Sequence, residues 1–393
     1  MISAAHTVLS ACLVSIGASA LGLCVLVPIS KPVGLLDHPD KRKRHAFATP
    51  LVGGLAIFMG MLAGWLWLGQ RFLGPAQKFD DIVLATACVL VALGALDDRY
   101  QLRVSVRVVV QVVAILIVIA TTGTYVHSLG VLHGYELKLG WLGIPFTVLA
   151  VIGLINAFNL MDGIDGLAGC LALVSTGAIA LLMAPDMPAP LTVIVLLLAA
   201  ALYPFLMANL GLLGKKAKVF LGDSGSVVLG YVIAWTLIAL SQSTPRHISP
   251  GLVLWCVALP VMDTLAVIYR RLKRGVSPFT PDRTHIHHLL MNAGLGPRRT
   301  LVYLVGYSIV LPFVGVVIHA ELGAIANLVA FVVVAAIYGA FTTHLERQQA
   351  ALIQSPDAAV VQPNPASATS RTTVRFRPVP SPSRGQVLKN RRH

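Results

Sequence analysis

Runs of about 17–25 predominantly apolar residues recur along nearly the whole chain, and this repeat limits the fold more than any other feature. Each run is long enough for a helix to cross the roughly 30 Å hydrocarbon core of a bilayer. Inside that core every backbone N–H and C=O must find its partner within the segment, so helices are expected there. Composition agrees, since only 12% of the 393 residues are charged, against roughly 25% in a soluble domain. The first run has no small-residue cleavage site and further runs follow it, so it is expected to be retained. Cys12, Cys24, Cys88, Cys170 and Cys256 all lie within apolar runs without metal-type spacing, which suits packing and suggests no disulfide framework.

Eleven spans are expected, at 5–29, 51–69, 81–96, 104–122, 142–158, 166–184, 190–209, 224–241, 250–269, 300–318 and 323–343. An odd number places the termini on opposite sides. With the N-terminus outside, the cytosolic segments hold 26 of the 30 Lys and Arg residues, and the other side keeps Arg71, Lys78, Lys138 and Arg246. The positive-inside bias therefore predicts an all-α polytopic membrane protein with an outer N-terminus and a cytosolic C-terminus. Residues 1–345 form the expected membrane domain and 346–393 an expected disordered basic tail, rich in Pro, Ser, Thr and Arg. A small external hairpin is expected around His133-Gly134. The net charge of +14 sits in alternate loops and in the tail, a topological pattern that argues against nucleic acid, and the tail is read as solvated, with contact to anionic lipid the alternative.

Four polar clusters then fall on the cytosolic side: Asp97-Asp98-Arg99, Asn156 to Gly166, Gly222-Asp223-Ser224-Gly225-Ser226, and Asp282 to His288. Carboxylates at membrane depth are costly, which makes each a functional candidate. Adjacent Asp97 and Asp98 repel unless a cation or proton lies between them. Asp162 and Asp165 share one face if their turn is helical, and with Asn156 and Asn159 they offer hard oxygen ligands suited to Mg²⁺. The spacing excludes an EF-hand, and Gly214-Lys215-Lys216 lacks a Walker A loop before it. Asp223 serves equally well as a helix N-cap or as a ligand. His285, His287 and His288 lack the further ligands of a zinc site, and beside Arg283 they suit an anion. The run Lys41 to His45, with Lys43 and Arg44, serves topology or phosphate binding. Together these are parts for phosphoryl transfer at a membrane.

In order and spacing the four clusters resemble the polyprenyl-phosphate N-acetylhexosamine-1-phosphate transferases over residues 30–300. Asp37-His38-Pro39, Pro50 to Gly54, Met262-Asp263 and Ser277 to Arg283 resemble the branch using UDP-GlcNAc and undecaprenyl phosphate. The phospho-MurNAc-pentapeptide branch usually has three consecutive histidines and a Lys where Gln101 stands, and Ile286 interrupts the histidines here. The resemblance implies Mg²⁺ on Asp223 and Asn159, with Mn²⁺ an acceptable substitute. It implies Asp97 and Asp98 beside the acceptor phosphate, and Asp162 and Asp165 lining the nucleotide-sugar site with Asp165 toward the uridine. Asn156, Lys43, Arg44, Arg283, His285, His287 and His288 are expected to contact substrate. The implied setting is the bacterial inner membrane with a cytosolic active site, and a homodimer is compatible with it. Another UDP-HexNAc is the alternative within the class. A transporter is the alternative outside it, but matching interrupted spans in the two halves are absent and the acids gather at one face.

Overall fold

A computed structural model describes residues 2–37, 48–69, 75–132, 134–183, 190–214, 217–243, 248–277 and 284–354. The chain divides into two units, Met1–Arg347 and Gln348–His393. Of the second unit only 348–354 are described, all helical, so the first residues of the expected disordered tail, 346–354, belong instead to a helix, and 355–393 lie outside the described residues.

Helices stand at every apolar run. In chain order they are α1 (Ile2–Val33), α2 (Gly53–Leu68), α3 (Pro75–Tyr100), α4 (Val104–Thr122), α5 (Gly143–Met161) and α6 (Leu167–Met183). There follow α7 (Pro190–Asn209), α8 (Gly222–Gln242), α9 (Pro250–Cys256), α10 (Ala258–Lys273), α11 (Ile286–Asn292) and α12 (Pro297–Gln354). Six of them are long and apolar enough to cross a bilayer, or seven if α9 and α10 count as one bent span, while α2, α6 and α7 are apolar but shorter.

Two runs depart from simple rods. The run at 250–269 bends by 86° between α9 and α10. Val257 there leaves helical geometry (φ −125°, ψ 27°), and Pro260 has no N–H to bond the carbonyl of Cys256. The last two runs join in α12, which is broken at Gly323 (φ 82°, ψ −179°), a conformation that favours glycine. Short strands qualify the all-α expectation. The expected hairpin forms from β3 (Ser128–Leu132) and β4 (Tyr135–Lys138), after a two-residue pairing of β1 (Leu36–Asp37) with β2 (Thr49–Pro50).

The bundle is built around α8, whose residues 224–242 are all buried and which packs on α2, α3, α5, α6 and α7. Small residues permit that density. A Cβ on Gly94 of α3 would stand 2.5 Å from Ser224 Cα, and one on Gly230 would strike the backbone of Ile155 in α5. Among lipid tails this close backbone approach replaces the hydrophobic drive of water-soluble packing. It holds the first turn of α8 level with the ends of α3 and α5.

Candidate active site

Those helix ends surround a cavity of about 1240 Å³. Its floor is the start of α8. Gly53 N and Gly54 N donate to Phe220 O (3.0 Å) and Leu221 O (2.9 Å), and Phe220 N donates to Pro50 O (2.8 Å), so the chain before α2 pins the chain before α8. Gly222 has φ +74°, and a Cβ there would stand 2.6 Å from Asp98 Oδ2, so both conformation and space require glycine. The residue preceding α8, Leu221, offers no side-chain cap. Asp98 supplies one from α3: its Oδ1 accepts from Asp223 N at 2.9 Å and its Oδ2 lies 3.5 Å from Ser224 N.

Asp223 is therefore not the cap of its own helix. Asp98 takes the leading amides of α8, so these are not open to a phosphate. Asp98→Ala is expected to cost about 1–2 kcal/mol of stability, the usual loss for a deleted cap. Thermal unfolding in detergent checks this, and an unchanged unfolding temperature would contradict the capping role.

Asp97, its neighbour, points elsewhere because successive helical residues diverge by ~100°. It is 4% exposed, accepts from Leu102 N at 2.7 Å, and pairs with Arg107 Nη1 at 2.5 Å. The same Arg107 nitrogen lies 3.8 Å from Asp223 Oδ2. The cation expected between carboxylates thus sits between Asp97 and Asp223, not between Asp97 and Asp98. Arg107 stands in the first turn of α4, where no acid accompanies it and the helix dipole disfavours a cation. Its carboxylate partners offset that cost.

From the opposite side, Asn159 near the end of α5 donates through Nδ2 to Asp223 Oδ1 (2.6 Å) and Ser226 Oγ (3.1 Å). Helix α5 stops at Asp162 (φ −80°, ψ 41°), and residues 162–166 form a turn between α5 and α6, so the face that a helical turn would have given Asp162 and Asp165 is not formed. Gly166, at φ +79°, donates to Asn209 Oδ1 at 2.5 Å, and Asn209 Nδ2 donates to Val219 O at 2.7 Å. This bridge ties the turn to the strand-like lead into α8. Asp162 and Asp165 both line the cavity. Asp162 is exposed toward the cavity; the surrounding protein and then the charges of Asp223, Asp165 and Asp98 shift its carboxyl above the usual range. Asp165 pairs with Lys218 Nζ at 2.6 Å. Asn156 does not reach the cavity lining: it is exposed and bonds its own helix at Ile152 O (2.8 Å).

The histidines separate by role. His288 lines the cavity, whereas His285 and His287 are 3% and 1% exposed and are absent from the lining. His285 Nδ1 donates to Asp263 Oδ2 at 2.7 Å. His287 packs on the turn at Gly163, where any Cβ would collide with its Nε2. Burial, then the neighbouring His288, lowers the His287 pKa to about 3, so this ring is neutral at physiological pH. Direct substrate contact is thus open to one of the three expected histidines. Lys43, Arg44 and Arg283 lie outside the described residues.

The residues that pattern reading passed over are Arg107, Lys218 and Asn209. The two cations were counted only as topological charge, although the position of Arg107 in a first helical turn was a visible signal. Asn209 gave none. Among the described residues no three His, Cys, Asp or Glu side chains form a metal cage. Asp223, 33% exposed, and Asn159 still provide one carboxylate and one carboxamide at the cavity. That donor set fits Mg²⁺, which draws most of its ligands from water and phosphate.

Comparison with known proteins is consistent with this geometry. Residues 81–241, from α3 through α8, match the glycosyl transferase family 4 profile. The undecaprenyl-phosphate alpha-N-acetylglucosaminyl 1-phosphate transferase of Yersinia pestis is 40% identical over 75% of this chain and 80% of its own length. The chain belongs to glycosyl transferase family 4. The like-named proteins of Escherichia coli K12 (40% identical, 73% of this chain, 77% of that protein) and Haemophilus influenzae (37%, 75% and 82%) extend the likeness. The family 4 match takes in Asp97, Asp98, Asn159, Asp162, Asp165 and Asp223 but ends before the histidine segment.

Proposed function

We propose that this family 4 chain transfers GlcNAc-1-phosphate from UDP-GlcNAc to undecaprenyl phosphate, giving undecaprenyl-diphosphate-GlcNAc and UMP. The observation that carries the proposal is one polar cavity, at the ends of apolar helices, in which Arg107 stands between Asp97 and Asp223, Asn159 bonds Asp223, and Lys218 pairs with Asp165. The names of the relatives support the substrates.

An oxygen of the lipid phosphate attacks the β-phosphorus, the bond to the bridging oxygen breaks, and UMP leaves with that oxygen. A single cavity lined by both the Asp97–Asp98 pair and the 162–165 turn favours direct attack, with the lipid phosphate and the diphosphate brought to one place. Arg107 and Lys218 neutralise phosphate charge, as cations do in phosphoryl transfer. Asp98 Oδ2, held by only a long 3.5 Å contact, keeps acceptor capacity toward the incoming acceptor. Asp223 and Asn159 would hold Mg²⁺, which supplies charge neutralisation on the diphosphate when bound. The turn at 162–166 and the His288 wall position the sugar nucleotide.

In the proposed topology eleven spans place the N-terminus outside and the C-terminus in the cytosol of a bacterial inner membrane. Support comes from the cavity, part of whose lining belongs to Lys- and Arg-rich connections at 97–107, 211–223 and 270–299. The test is a membrane assay with labelled UDP-GlcNAc and undecaprenyl phosphate. Label is expected in the lipid phase, and no lipid-linked label with any UDP-HexNAc would overturn the proposal.

A further inference from the structure

Asp263 lies in α10, fully buried and absent from the cavity lining. Three donors from two other parts of the chain converge on it: His285 Nδ1 at 2.7 Å, Ile286 N at 3.0 Å and Tyr338 OH at 2.8 Å. A buried carboxylate is costly unless it is satisfied in this way, and such sets are high-stakes because losing one donor strands the rest. Two helical turns along α10, Arg270 repeats the grip. Its Nη1 donates to Thr342 Oγ1 at 2.6 Å, its Nη2 to Thr284 O at 2.7 Å, and its Nε lies 3.3 Å from Glu346. Helices α10 and α12 thus hold Thr284–Ile286 at two levels.

From that grip a row of rings runs toward the cavity. His285 and His287 lie parallel with centroids 6.1 Å apart, and His287 lies 4.2 Å from His288. Among the described residues neither ring nitrogen of His287 has a hydrogen-bond partner, and the rings meet through packing. Its middle ring rests on Gly163 and its last residue faces the cavity.

We propose that Asp263 is a positioning residue: through His285 and Ile286 it sets the separation between the α11 wall and the 162–166 turn, and thereby the fit of the sugar nucleotide. This rests on the transferase reading for its substrate. The wall concerned belongs to α11, a short helix that is not among the apolar spans, and it faces the cavity beside the turn assigned to the sugar nucleotide.

The test uses the full chain in detergent, comparing wild type with Asp263→Asn, Asp263→Ala and Tyr338→Phe. The KM for UDP-GlcNAc should rise about tenfold in Asp263→Asn, as outer-shell losses do, with the KM for undecaprenyl phosphate unchanged and Tyr338→Phe intermediate. Amide exchange should quicken across 284–292 in Asp263→Ala while α8 keeps its protection. Equal KM changes for both substrates, exchange raised throughout the chain, or unaltered exchange at Ile286 would overturn the proposal. If the wild type turns over no sugar nucleotide but Asp263→Ala still loosens 284–292 selectively, the brace stands and the assigned substrate falls.

Discussion

Asp223→Asn is expected to lower kcat by roughly two to three orders of magnitude, the scale of losing one preorganised charge in a transition state. The folded state should hardly notice. The Asp223 side chain caps nothing, because Asp98 from α3 accepts the leading amides of α8. Asparagine is nearly isosteric and keeps an oxygen for the Asn159 donor, which reaches Asp223 Oδ1 at 2.6 Å. What disappears is the negative charge available to a divalent cation, so the Mg²⁺ concentration needed for half activity should rise. Steady-state rates across a Mg²⁺ titration, with thermal unfolding alongside, separate the two roles. Near wild-type turnover, or a fall in unfolding temperature that accounts for the lost activity, would return Asp223 to a structural role.

Arg107→Gln should damage both activity and stability. Breaking a fully buried ion pair by removing one partner costs about 3–5 kcal/mol, and Asp97 is 4% exposed. Arg107 itself is 35% exposed, so solvent screening reduces the expected loss to about 1–3 kcal/mol. Removing a cation from the first turn of α4 returns about 0.3–1 kcal/mol through the helix dipole. The net effect is a modest fall in unfolding temperature. Activity should fall further than stability, by about a hundredfold, because the same guanidinium neutralises charge where the phosphates meet. Arg107→Lys keeps the charge but loses the planar fork, and should fall between the two. Rates and unfolding measured on the three proteins check this, and a lysine variant no better than glutamine would argue that charge is not the operative property.

Much of this architecture is legible before any coordinates, for a physical reason. A bilayer leaves few choices to an apolar run, so helices follow from length and hydropathy, and the hairpin follows from alternation around His133-Gly134. The polar clusters stand out because charge is scarce in this chain. Roles within a cluster are another matter, since they depend on which helix end arrives opposite. Asp97 and Asp98 are adjacent in sequence, yet one binds Arg107 and the other caps α8. Asn156 shares spacing with Asn159 but lies a turn, about 4.5 Å, deeper along α5 and beyond the cavity. His285 and His288 look alike as letters and differ by an aspartate in α10 that no local pattern announces. Asp162 and Asp165 stand in the connection between two expected spans, where α5 stops at Met161, and both acids reach the cavity.

The most direct test of the central claim is the identity of the nucleotide released. Purified full-length protein, with Mg²⁺, UDP-GlcNAc and undecaprenyl phosphate, should yield UMP in step with lipid-linked product, because the bond broken lies between the two phosphates. Release of UDP instead would mean transfer of the sugar alone and would contradict the mechanism.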